Sequence, residues 1–364
     1  MNKIRNKFYY FIDNIAYKYD LKRRAEKSNG HCAHFKQALL SKEEKKVIKE
    51  IWGEYGGDYQ AFGFYKQFCG HLDPYFVPDD YYDFAEHVLN LRWSAYFLQH
   101  KCNLKYILPP QNRAKVILQK IDGHIVYEDN SEISKQEAIA CLKKHPIFMA
   151  KIARGTGGGK GVQRIVLGEL NDIDTSLEKL LEPIDIEFEE IIKQNDFLSQ
   201  FNPDSVNTLR FVTLNINENC TLLSAFLRMG SRGSFVDNLS GGHGVLVGIN
   251  KEGALNEFGV DKNFEKKHES PTGVKFAGII VPNFSRIKQQ IIDFHKKIPF
   301  ANLIGWDVTI DEKGNPIVIE VNLDSALIEA HQVFNGPVFG ERFDEVREYI
   351  EKRKPLIKHQ MMTY

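Results

Sequence analysis

The chain has 364 residues, of which 43% are apolar and 26% charged, and its 48 basic side chains balance 48 acidic ones. That length is expected to divide into two compact units, and the apolar content excludes an intrinsically disordered or collagen-like chain. The neutral balance removes the basic field a dedicated nucleic-acid binder needs, and no run reaches the ~18 apolar residues of a membrane span.

In chain order, residues 1–100 read as helical. Phe8, Phe11, Ile12 and Ile15 recur at helical spacing, and Ser41 with Glu44 three residues later forms a capping box. Residues 1–27 are basic and aromatic, which fits either peripheral contact with an anionic membrane or a solvated helix packed on its own domain. There is no apolar signal core and no small-residue cleavage site, so neither export nor a transmembrane segment is expected. The helical pattern of 81–107 runs until Pro109 and Pro110.

Beyond Pro110 the pattern becomes strand-like. Strands are expected at 115–123, 147–153, 162–168, 208–216, 221–230 and 244–250, with helices at 134–145 and 174–183. Residues 185–194 with 196–201 read as a helix leading into a strand, and 304–321 as a hairpin turning at 312–315. This order describes an α+β protein with antiparallel sheets. The five cysteines, Cys32, Cys69, Cys102, Cys141 and Cys220, are scattered without zinc spacing, so a reducing cytoplasm is the expected location.

Two local patterns carry chemistry. In 151-KIARGTGGGKGVQRI, a lysine ends a strand and glycines crowd around Thr156 and Lys160. Glycines let the backbone approach a polyphosphate closely, so that successive N–H groups converge on it. The run is not a Walker A loop, since Gly161 follows Lys160, and a glycine hairpin without ligand is the alternative. The second pattern is Asp307 with Glu320 and Asn322 on the two arms of one hairpin. Residues 320 and 322 share a strand face that Asp307 can meet from its neighbour, a hard-oxygen set suited to Mg²⁺. A solvent-facing acidic strand is the competing reading.

Together, Lys151, the glycine loop, 197-FLSQF and the D…E-x-N pattern of Asp307, Glu320 and Asn322 resemble the ATP-grasp superfamily. The stretches 205-SVNTLRFVT, 226-FLRMGSRGSFVDNLSGGHGV and 320-EVN are similar to its sugar-transfer associated branch, found beside bacterial surface-polysaccharide genes. The resemblance implies an ATP-grasp fold, two α+β subdomains gripping ATP between antiparallel sheets. Residues 101–200 would be the small lid subdomain and 201–350 the large subdomain with the metal site, after the helical 1–100.

It also implies roles. Lys151 would meet the α-phosphate and adenine side, with Gly155, Thr156, Gly157, Gly158, Gly159, Lys160 and Gly161 closing over the β- and γ-phosphates. Lys101 fits a second phosphate-binding lysine by spacing, or is a surface lysine. Gln200 and Phe201 would form the adenine hinge, with Asp204 on the ribose, although the superfamily often carries Glu at the hinge. Arg210 and Arg228 suit the transferred phosphoryl group, because a guanidinium fork matches phosphate oxygens; the alternative is two sheet-surface arginines. Asp237, Asn238, Gly241 and Gly242 would admit the acceptor, with His243 a candidate base, or form an ordinary turn. After Asn322, Asp324 and Ser325 depart from the pattern of many relatives.

The activity implied is an ATP- and Mg²⁺-dependent carboxylate–amine ligase working through an acyl phosphate. Its partners would be a small-molecule carboxylate and an amine or sugar, with no nucleic acid. Two alternatives are a kinase of the same fold acting on a sugar hydroxyl and a nucleotide-binding accessory protein of a glycosyltransferase.

Overall fold

Residues 15, 19, 32–53, 55, 59–90, 92–154, 161–234, 244–323 and 327–358 are described by the structure, a computed structural model. Helix α1 (Lys42–Trp52) begins where sequence places it: the Ser41 side chain accepts the Glu44 N–H, and the Glu44 carboxylate accepts that of Ser41. Helices α2 (Gln60–Cys69), α3 (Asp79–Leu89), α4 (Arg92–Gln99) and the single turn α5 (Leu104–Ile107) follow. The expected continuous helix of 81–107 is therefore interrupted. Asn90 takes extended backbone angles and bridges to Ala301, because its side chain is spent on distant strands rather than on the helix.

Strands β1 (Val116–Ile121), β2 (His124–Val126), β3 (Ile147–Ile152), β4 (Val162–Val166) and β5 (Ile186–Glu189) form an antiparallel sheet ordered β2-β1-β5-β3-β4. Its helices are α6 (Lys135–Leu142), opened by a capping box of Ser134 and Glu137, and α7 (Ile173–Leu180). The strand period of two divides the side chains between faces. Leu118, Phe148, Ala150 and Phe188 pack with Ala138, Leu142 and Leu177 of the helices. Gln119, Lys151, Glu187 and Glu189 alternate with them and take the other face.

After a short helix α8 (Asp196–Ser199) come β6 (Thr208–Ile216), β7 (Asn219–Met229), β8 (Val245–Ile249), β9 (Leu255–Val260), β10 (Lys266–Lys267), β11 (Leu303–Ile310) and β12 (Pro316–Asn322). They build a seven-stranded antiparallel sheet ordered β10-β9-β8-β7-β6-β11-β12. On one face Leu209, Phe211, Leu227, Trp306 and Val308 pack on Phe284, Ile287 and Ile291 of α9 (Phe284–Lys296). On the other, Val212, Leu214 and Ile216 share a core with Trp52, Phe64 and Phe84 of the N-terminal helices. That core extends to Val333 of α10 (Ile328–Asn335) and to Phe343 and Val346 of α11 (Phe343–Lys358). The N-terminal helices thus complete the core of the large sheet.

One sequence expectation reverses here. Residues 186–189 are a strand and 196–199 a helix, because Ile186 and Phe188 alternate with Glu187 and Glu189 at period two, and the glutamates mask the pattern by being buried. The chain passes from one sheet to the other over 190–194: Glu190 N–H still donates to the Lys115 carbonyl, whereas Gln194 bridges Asp311. No helix among the described residues is long and apolar enough to cross a membrane. The proposed membrane segment 1–27 lies outside the described residues except for Ile15 and Tyr19.

Candidate active site

The small sheet supplies a polar floor. Gln119 on β1, Glu187 on β5 and Lys151 on β3 occupy one rung, with Glu189 two residues along. All four are buried, none more than 6% exposed. Gln119 Nε2 donates to Glu187 Oε2 and, at 3.2 Å, to the Cys102 carbonyl, while the Lys151 ammonium pairs with Glu189 Oε2. Burial works against the Lys151 charge, but Glu189, then Glu187 and Glu320, outweigh it and hold its pKa above that of an ordinary lysine. Burial, reinforced by the neighbouring Glu189, pushes Glu187 up to about 8.

The large sheet supplies the facing wall. Asp307 on β11 stands opposite Glu320 on β12, and Gly305 opposite Asn322, so the two carboxylates and the amide share a face. Asp307 is also opposite Arg210 of β6. Arg210 Nε lies 2.5 Å from Asp307 Oδ1 and its Nη2 3.1 Å from Oδ2, which also takes Arg228 Nη2 at 3.1 Å. Burial alone would raise the Asp307 pKa, yet the two guanidinium charges keep it below the usual range. A Cβ at Gly305 would sit 3.4 Å from Arg210 Nη1, so glycine leaves room for the guanidinium to lie across the strand.

Lys101 joins floor and wall. Its backbone N–H donates to the Ala153 carbonyl at the end of β3 (3.0 Å), and its buried Nζ reaches Glu320 Oε1 at 3.0 Å. Lys151 and Glu320 also interact electrostatically, which puts both sheets on one cleft.

Two carboxylates and an amide are the hard oxygen donors that Mg²⁺ prefers, and the carboxylates are held by positive charge, Glu320 by Lys101 and Asp307 by Arg210 and Arg228. Among the described residues, Arg210 Nη1, Thr208 Oγ1 and Asn322 Nδ2 are buried and have no hydrogen-bond partner, which leaves donors available for a ligand's oxygens. The residues present therefore fit a magnesium nucleotide.

The remaining candidates fall elsewhere. Gly155, Thr156, Gly157, Gly158, Gly159 and Lys160 lie outside the described residues. At the loop base Gly161 has φ +72° and its carbonyl accepts the Ile152 N–H at 2.8 Å. Asp237, Asn238, Gly241, Gly242 and His243 also lie outside them. Gln200 and Phe201, expected at the adenine hinge, directly follow α8. Phe201 is core, and Thr272 Oγ1 donates to both of their carbonyls, at 2.8 and 2.9 Å. The Asp204 carboxylate accepts the Gly233 N–H at 2.7 Å and so is engaged in a loop contact.

Sequence reasoning passed over Gln119, Glu187 and Glu189, whose one available signal was glutamate alternating with Ile186 and Phe188. It also passed over Asn90, whose Nδ2 donates to the carbonyls of Leu303 (2.6 Å) and Leu323 (3.0 Å). The Asn90 Oδ1 accepts the N–H groups of Asn302 and Leu303 at 3.0 and 3.1 Å. One buried side chain at the end of α3 thereby clamps both arms of the β11–β12 hairpin.

A family profile described as sugar-transfer associated ATP-grasp matches residues 115–348. A comparison with curated proteins found no match. Among solved structures, the chain is similar to the D-alanine–D-alanine ligase of Coxiella burnetii at 9% identity and a TM-score of 0.40, covering 73% of this chain and 62% of that one. It is similar to a biotin carboxylase–ATP complex of Campylobacter jejuni at 11% identity and a TM-score of 0.43, covering 72% and 47%. A third similarity is to the biotin carboxylase domain of Hydrogenobacter thermophilus 2-oxoglutarate carboxylase, complexed with MgADP, at 14% identity and a TM-score of 0.38 over 65% and 45%. Each match takes in less than two thirds of the other chain's length.

Proposed function

We propose that this chain, which belongs to the sugar-transfer associated ATP-grasp family, is an ATP- and Mg²⁺-dependent ligase that activates a carboxylate as an acyl phosphate for attack by an amine. The observation that carries this reading is Lys101. Anchored beside β3 and ion-paired to Glu320, it sets the lysine-bearing floor and the oxygen-rich hairpin against each other.

In this reading Lys101 and Lys151 bind nucleotide phosphates, while Arg210 and Arg228 spread their charge over the group in transfer. Asp307, Glu320 and Asn322 would hold Mg²⁺, which when bound neutralises phosphate charge. The nucleophile is a substrate oxygen, so the chain needs to supply only position and fixed charge. Protein side chains in a buried cleft do this well, since their dipoles and charges need no reorganisation as the phosphoryl group moves. The γ-phosphoryl passes to the substrate carboxylate with departure of ADP, and the amine then displaces phosphate to leave an amide. Residues 155–161, rich in glycine, suit a cover that excludes water while the acyl phosphate exists. The sugar-transfer context of the family points to a sugar acid, amino sugar or amino acid as substrate.

The test is ADP release from ATP with Mg²⁺, screened over uronic acids, nucleotide sugars and amino acids with hydroxylamine as the trapping amine. A ligase yields a hydroxamate in proportion to ADP. A stable phosphorylated sugar formed without any amine would replace this reading by the kinase one, and no ADP release with any pair would count against both.

A further inference from the structure

The cleft floor holds a charge imbalance. On the described strands two buried carboxylates, Glu187 and Glu189, face one buried ammonium, Lys151, across adjacent rungs of β5 and β3. Gln119 of β1 is neutral and gives Nε2 hydrogens to Glu187 Oε2 and the Cys102 carbonyl. The Cys102 thiol is pushed up by burial and then by Glu187, and stays neutral. Lys101, in the turn at 101–103, and Glu320 of the large sheet satisfy each other at 3.0 Å. Asp185, two residues before Glu187, is taken by Arg154 Nε at 2.7 Å and the Asp122 N–H at 2.8 Å. With both glutamates ionised the Gln119–Lys151–Glu187–Glu189 group carries a net negative charge under the phosphate site, whereas with one proton it is neutral.

We propose that Glu187 is a positioning residue that retains a proton when nucleotide binds, so that Lys151, held by Glu189 alone, offers its charge to the phosphates. The inference rests on the nucleotide reading of this cleft. Two carboxylates sharing a buried site cannot both ionise without large cost, and phosphate oxygens arriving at Lys151 add further negative charge. Binding therefore favours the protonated pair. Burial and Glu189 raise the Glu187 carboxyl to about 8, so above that pH this carboxylate pair takes up a proton from solvent as nucleotide binds, while below it the proton is already present. Lys151 itself stays charged across this window, because its pKa is raised.

The experiment is calorimetric titration of MgADP into the full chain at about pH 7 and about pH 8.5, each in two buffers of different ionisation enthalpy. The wild-type protein is expected to take up a fraction of a proton, approaching one, per nucleotide at the higher pH and almost none at the lower. Its Kd should rise by up to about tenfold per pH unit above 8. Glu187→Gln, which mimics the protonated acid, should bind with no uptake and a flat profile. MgADP binding by the wild-type protein without proton uptake at the higher pH overturns the proposal whatever the variant does, as does a Glu187→Gln protein that retains wild-type uptake. Failure of MgADP to bind at about pH 7, where this linkage is silent, would instead overturn the nucleotide reading and the proposal with it.

Discussion

Lys151 keeps its charge in a place where burial opposes it, and it does so through Glu189. Removing one member of a buried pair is far costlier than removing both, because the survivor is left uncompensated. Lys151→Met is therefore expected to cost about 3–5 kcal/mol in urea unfolding, and Glu189→Gln in the same chain to recover part of that loss. A double-variant loss equal to the sum of the losses from Lys151→Met and Glu189→Gln separately would show that the pair is not energetically coupled. Glu187 allows a second residue-scale prediction. Its carboxyl is raised from 4.5 to about 8, so the folded state holds a proton that the unfolded chain releases between these values. Stability from this group is thus full below pH 4.5 and falls as pH rises towards 8. Glu187→Gln should melt with the wild type near pH 5 and several degrees above it near pH 8, a widening gap that differential scanning fluorimetry would follow.

Which residues were legible follows from how far apart their partners lie. Glu320 and Asn322 were placed together by the strand period, and Asp307 by one hairpin turn. The grip of Arg210 and Arg228 on Asp307 needs the register of β6 against β7 and β11, contacts closed over 97 and 79 residues, and no local pattern encodes it. Gln119 and Glu187 escaped because a glutamate between apolar neighbours gives no sign of whether its face of the sheet meets water or protein.

At the level of elements, the capping boxes at Ser41 and Ser134 put helix starts where sequence rules put them, since both partners lie within three residues. Asn90 is the opposite case: a helix ends because a side chain is committed to strands more than two hundred residues away. Four hydrogen bonds from one buried amide fix the start of β11 and the residue after Asn322. Asn90→Ala is accordingly expected to lower stability by about 2 kcal/mol or more and to loosen the hairpin seat. The check is the Mg²⁺ concentration giving half-maximal nucleotide binding, which should rise severalfold at a temperature where the variant remains folded. A variant that is less stable but unchanged in its Mg²⁺ requirement would reduce Asn90 to a packing role.

For the molecule as a whole, the α+β class and most strands of both sheets could be read from alternation, because one face of each strand is buried. Helices α9 to α11 and strands β2, β9 and β10 were not read. The fate of the N-terminal helices was hidden too, as their core is completed by the far end of the chain through Val333, Phe343 and Val346. This arrangement ties the helical region to the β11–β12 hairpin through Asn90 and to the lysine floor through Lys101. The proposed function requires a single cleft in which a metal-bound nucleotide would bridge the two sheets.

Its most direct measurement is the thermal melt of the wild-type chain and of Glu320→Gln, each alone, with ADP and chelator, and with ADP and Mg²⁺. Binding to the native state at about a hundred times Kd adds about 2.7 kcal/mol, enough to raise the melting temperature by several degrees. The wild type should show that rise only when nucleotide and Mg²⁺ are both present, and Glu320→Gln should lose most of it, measured from its own melting temperature without ligand, which is lower because Lys101 loses its partner. A wild-type melt indifferent to Mg²⁺ and ADP, or a Glu320→Gln protein stabilised as strongly as the wild type, would contradict the bridged cleft.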